Sequence, residues 1–269
     1  MAYLTDEETG TGARSLGAKV AGVIAVFAVI MVVRYVTSGN FGAGSGGLTP
    51  ERVDRELQAH PQAGELYRAV KTSYPNEYQA FLRRVTTVAK SGNSLAVETE
   101  AFNFTRQLTL DHFEGFARAP TGQIVDVARQ YSLLVGTLQR TDINLCARFV
   151  VEGMGPGTRP PPEATAILSR IGVMQIQASR AGEMRPSAPR PELSQEEATV
   201  VVREIERRAP STGRLLADER ALASASPAEK CAVGVAIYET VVGLPPETAA
   251  KATVSLIRQS FTSPEPTSR

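Results

Sequence analysis

The chain has 269 residues, of which 42% are hydrophobic, 21% charged and 6% aromatic, with a formal net charge of +1. That length supports a sizeable core or two smaller ones, so neither disorder nor dependence on several disulfides is implied. The near-neutral balance argues against a nucleic-acid partner, which would be held largely by an excess of Lys and Arg over phosphate. Two Cys, two His and no Trp leave little from which to build a metal or cofactor site, and none is expected.

After a short acidic N-terminal tail (1–15), Val20 to Val33 runs for 14 residues without a polar side chain. Alone it spans roughly 21 Å, against a hydrocarbon core of about 30 Å. Extended over 16–37, with Lys19 and Arg34 reaching toward the headgroups and Tyr35 in the interfacial zone, it is long enough to cross. Three readings fit: an uncleaved anchor, a removable signal peptide ending near Ser38 and Gly39, or a buried core helix. Asp6, Glu7 and Glu8 make a poor signal-peptide leader, and Val20 to Val33 offers no polar face for a core helix, so a single-pass transmembrane anchor is the expectation. Flanking charges do not fix its orientation. A short tail inside with the large C-terminal portion exported, in the periplasm or otherwise outside the cytoplasm, is the expected topology. Ala18, Ala21, Gly22, Ala25 and Ala28 line one face of this helix, a pattern that lets two helices pack closely and provides a route to a homo-oligomer.

Residues 38–48 form a tether, since GNFGAGSGG places five glycines in nine positions. A flexible chain of that length spans about 15 to 18 Å. From 49 to 262 the pattern predicts an all-α domain, followed by a frayed tail (263–269). Thr49 and Pro50 cap a short helix running toward His60. Tyr78, Phe81, Leu82, Val85 and Val88 mark an amphipathic helix. Leu95 to Ala119 reads as one helix carrying Phe102, Leu108, Phe113 and Phe116, closed by Pro120. Ile124, Val127, Tyr131, Leu134 and Leu138 line the next, and Ile143, Cys146, Phe149 and Val150 share a further face.

Beyond the breaker MGPGTRPPP, Glu163 to Ala181 is helical, and RPSAPRP marks a candidate internal boundary at 182–193. Ser194 with Glu197 and Ser226 with Glu229 both fit the capping box. AVGVAIYETVVG is apolar nearly all round, as a central helix is, and Pro246 and Glu247 open a last helix through Phe261.

An exported domain with two cysteines and no others implies a Cys146–Cys231 bridge, the alternative being two inert buried thiols. For catalysis, His112 beside Asp111 and near Glu114 has the letters of a base with an orienting carboxylate, but neighbours on a helix point in different directions. Gly172-Val173-Met174-Gln175-Ile176 resembles the Gly-Leu-Met-Gln element of the lytic transglycosylases, helical cell-wall enzymes with a Glu general acid. The resemblance implies Glu163 as that acid, with Ala164 standing where the family has Ser; an apolar helix face containing Ile167, Ile171 and Met174 accounts for the same letters. The leading expectation is a membrane-anchored, extracytoplasmic helical domain acting as a binding or scaffold module. It would sit in lipid, engage a protein partner in the envelope, and offer the aromatic-rich region from Tyr67 to Phe116 as a candidate contact surface, although most of these rings should be core. The alternatives are a helical cell-wall hydrolase or lyase and an anchored cytoplasmic adaptor.

Overall fold

The computed structural model describes residues 48–185 and 188–262. The proposed anchor, its small-residue face, most of the tether and the C-terminal tail lie outside these residues. Among the described residues there are thirteen α-helices and no strand, as the periodicity predicts. No helix among them is long and apolar enough to cross a membrane.

The helices are α1 (Pro50–Ala59), α2 (Gly64–Ser73), α3 (Pro75–Ala89), α4 (Ser94–Asp111), α5 (Phe113–Arg118), α6 (Thr121–Thr141), α7 (Ile143–Glu152), α8 (Pro162–Glu183), α9 (Gln195–Arg208), α10 (Pro210–Ala217), α11 (Glu219–Ser224), α12 (Pro227–Gly243) and α13 (Pro246–Thr262). Their starts follow local chemistry. The Thr49, Asn93, Asp142 and Asp218 side chains accept amides of the first turn, and both capping boxes form, with Ser194–Glu197 opening α9 and Ser226–Glu229 opening α12. Helix α2 has no sequence signal of this kind. His60 lies in the turn before it, and its Nδ1 accepts from the Gln62 and Ala63 amides, each at 3.2 Å. That role requires the neutral imidazole, which burial favours by lowering the His60 pKa.

The apolar side chains form two clusters. The smaller gathers α1 to α4 around Tyr67, Tyr78 and Phe81, and takes in Val173 and Ile176 of α8. The larger runs from Phe113 to Ile257, with Ala164, Leu168, Ile171 and Ala178 of the same α8 on its side. Helix α8 thus belongs to both, and α2 packs along it. The division of the core falls between Leu108 and Phe113. Helices on either side of the expected 182–193 boundary share the larger cluster, and Arg190 straps the proline-rich chain to it. Its guanidinium donates to the Ala117 and Ala119 carbonyls and to Thr121 Oγ1, and its amide to Ala117 O.

Two corrections to the sequence reading follow from this packing. The stretch from Leu95 to Ala119 is two helices, broken at His112, where the backbone turns to φ −108° and ψ 11°. In the region from Tyr67 to Phe116 the rings are core, as most were expected to be, which removes them as a contact surface. Tyr67, Tyr74, Tyr78, Phe81, Phe104, Phe113 and Phe116 are all buried, and Phe81 stacks on Phe104 at 4.3 Å between centroids. Aromatic rings contribute most apolar area per residue, so they fill the cores before they reach the surface.

The Cys146–Cys231 disulfide joins α7 to α12 in the larger cluster, with both residues fully buried. In the smaller, Asp54 ties α1 to its neighbours by accepting from Gln58 Nε2 (2.5 Å), Lys71 Nζ (2.7 Å) and Tyr78 OH (2.8 Å). Burial pushes its carboxyl up, but these three hydrogen bonds and the Lys71 charge outweigh that and hold it below the usual carboxylate range. The folded state then binds this proton less readily than the unfolded chain does. The stabilisation is complete above the ordinary Asp range, near pH 4, and is lost as pH falls through the depressed value. Asp54→Asn is expected to cost about 1 to 2 kcal/mol at pH 7. It should cost progressively less below pH 4, so that melting temperatures of variant and parent converge in acid.

Candidate functional site

Where the two clusters meet, the chain brings together polar groups that are far apart in sequence. Helices α5 and α8 cross with their backbones in contact. A Cβ on Gly182 would overlap the Gly115 carbonyl oxygen, and one on Gly115 would lie 2.6 Å from that of Ser179. Only glycine at both positions permits this approach. It carries His112, one residue before α5, onto Glu183, the last residue of α8, with Nδ1 2.5 Å from Glu183 Oε1. Tyr74, between α2 and α3, stacks on the imidazole at 3.7 Å between centroids and donates from its hydroxyl to the same Glu183 oxygen at 3.2 Å. Arg180 Nη1 lies 3.3 Å from the other carboxylate oxygen. Burial, and then the negative charge of Glu183, push the Tyr74 phenol well above its ordinary range, so it stays a donor.

The second imidazole nitrogen, Nε2, has no hydrogen-bond partner and lies 3.7 Å from Glu77 Oε1 on α3. Beside the ring is a cavity of about 20 Å³ lined by Leu66, Leu108, Gln175 and Ser179 among others. That is room for about one water molecule. Gln175 donates through Nε2 to the Tyr131 hydroxyl at 3.2 Å, while its Oε1, also buried, has no partner. Each such unpaired atom costs on the order of 1 to 3 kcal/mol unless water reaches it.

A carboxylate on one imidazole nitrogen fixes the ring and leaves the other nitrogen to act, which is the arrangement of a base and its orienting acid. Here the second nitrogen is shielded from solvent and the cavity beside it has room for about one water molecule, so in this conformation no larger molecule reaches it. Among the described residues no group of three or more His, Cys, Asp and Glu side chains is placed to hold a metal ion.

The carboxylates next to His112 in sequence are engaged elsewhere. Asp111 accepts from Gln107 Nε2 at 2.6 Å, and Glu114 from Arg258 Nη2 at 3.3 Å. Glu163 is exposed in the first turn of α8, whereas Gln175 is buried more than three turns later, roughly 18 Å along the helix axis. The structure does not bring these two together. It does place Gly172 and Gln175 on the cavity, where Gly172 admits Leu66 of α2: an added Cβ would meet Leu66 Cδ1 at 2.9 Å. Glu183, Tyr74 and Glu77 escape sequence reasoning because no local spacing links them to His112. The one available signal was a glycine inside each of two helical runs, near His112 and beside Glu183, since a glycine kept within a helix often marks a close crossing.

No known protein family, curated protein or solved structure matches the chain.

Proposed function

We propose that this is a membrane-tethered protein whose helical domain works outside the cytoplasm by binding a protein partner in the envelope. The observation that carries the reading is the Cys146–Cys231 bond, fully buried within the larger core. Structural disulfides form and persist in oxidising compartments and are rare where glutathione and thioredoxin keep thiols reduced. The apolar segment at 16–37 supplies the anchor, and the glycine-rich stretch at 38–48 lifts the domain clear of the headgroups while keeping it near them. Tethering of this kind raises the effective concentration of a module toward neighbours in the same membrane, to the order of millimolar for short flexible linkers.

The test uses the full chain with a C-terminal reporter that is active only outside the cytoplasm, followed by crosslinking in intact membranes. Reporter activity in the membrane fraction, together with a crosslinked protein whose yield falls when 39–47 is deleted, is the expected result. A silent reporter whose cytoplasm-active counterpart is functional overturns the topology. Crosslinking unchanged by the deletion overturns the role of the tether.

A further inference from the structure

The geometry points to a hinge at His112, about which the smaller core opens away from the larger along α8, exposing the cavity between them. Three independent features converge on this seam. First, the chain passes from one core to the other at a single non-helical residue between α4 and α5, and hinges are typically a few residues at element ends that absorb a backbone rotation. Second, the disulfide and two of the polar clusters lie within one side. The disulfide and the Arg190 strap belong wholly to the larger core, and the Asp54 cluster wholly to the smaller. The ties that cross include α2 along Val173 and Ile176 of α8, the Glu183 cluster at one place, and the buried Glu98 of α4 at another, where it accepts from Arg159 Nη2 at 2.7 Å and the Gly157 amide at 3.2 Å. Third, the seam strands polar atoms among the apolar side chains that line it, Leu66, Leu108 and Ile176 among them. Gln175 Oε1 and His112 Nε2 are buried there without hydrogen-bond partners, and opening hydrates both.

Closure of the seam therefore leaves polar atoms unpaired that opening would hydrate, so opening there precedes unfolding of either side. Glu183 is the latch. It faces His112 and Tyr74 from the smaller side, with Arg180 on its own helix and Glu77 of α3 across the ring. His112→Phe keeps an aromatic ring against Tyr74 but removes the bond to Glu183. It is a latch variant and not a core deletion.

Thiol accessibility in the full chain reads the motion directly, independently of the compartment in which the protein works. Ser179→Cys places a nearly isosteric thiol at the cavity, while Ala128→Cys and Ala101→Cys place controls in the larger and smaller cores; Thr105→Cys replaces Ser179→Cys if that variant does not fold. Under native conditions a maleimide too large for the closed cavity should modify the cavity thiol of Ser179→Cys at least about 100-fold faster than either control, because labelling tracks the open population. Adding His112→Phe should accelerate modification of that cavity thiol by about tenfold and the controls by no more than the same factor, so that the cavity thiol remains the faster by about 100-fold or more. Equal rates at the cavity and in the two cores, or no response to His112→Phe, would overturn the hinge.

Discussion

Replacing Cys146 and Cys231 together by alanine is expected to lower the unfolding free energy by about 4.5 kcal/mol, the chain-entropy value for a closed loop of 85 residues. The loss comes chiefly from freeing the unfolded chain. The bond joins α7 to α12, and its loop holds α8 to α11 and the proline-rich strap, while α5, α6 and α13 of the same core lie outside it. Engineered bridges often fall short of the chain-entropy figure because they distort the fold around them. This one sits where the fold already brings the two backbones close: a Cβ on Gly234 of α12 would overlap Val150 Cγ2 of α7. The size of the effect is read from the urea midpoint of the variant against the oxidised parent, with the slope of the transition showing any change in the compactness of the unfolded state. A difference under about 1 kcal/mol would mean that the bridge contributes little beyond the packing around it.

Gly182→Ala is expected to destabilise by about 3 kcal/mol or more, because the added methyl group would meet backbone on α5, which has no rotamer by which to yield. Gly122→Ala, one residue into α6 with open space around the new Cβ, should instead stabilise by about 0.5 to 1 kcal/mol through helix propensity and a less flexible unfolded chain. Two chemically identical substitutions of opposite sign separate close packing from intrinsic propensity. Gly182→Ala has a second expected consequence. Pushing α5 off α8 lengthens the contact between His112 and Glu183, so the imidazole resonances of His112 should shift, while Gly122→Ala leaves them in place. Thermal or urea unfolding of the two variants gives the stability signs, and an unchanged imidazole in a folded Gly182→Ala protein would contradict the assignment of the glycine crossing as what positions the pair.

Much of the helical architecture was legible because it is written locally. Both capping boxes, the proline-opened helices α1, α3 and α13, and the all-round apolar character of α12 depend on residues within one or two turns of each other. The pairing of the cysteines followed from counting two of them in a chain expected to be exported. What was not legible depends on distant partners. The break at His112 lies within a run whose letters favour continued helix. Helix α2 begins just after Pro61 at a glycine, two residues that ordinarily mark a break, and is secured by an imidazole in the preceding turn. The His112–Glu183 pair joins residues 71 apart and exists only because two glycines let α5 and α8 touch. That most rings between Tyr67 and Phe116 are core was legible, but which of them could line a contact surface was not: a one-dimensional tally of rings says how much apolar surface must be covered, and only packing says what covers it.

Whether the domain works in an oxidising compartment beside a membrane is decided by thiol trapping in living cells, with acid quenching followed by alkylation of the full chain under denaturing conditions. Cys146 and Cys231 should resist the reagent until a reductant is added, and the same protein should remain with carbonate-washed membranes. Immediate modification of both thiols in the quenched sample would place the domain in a reducing compartment and contradict its export.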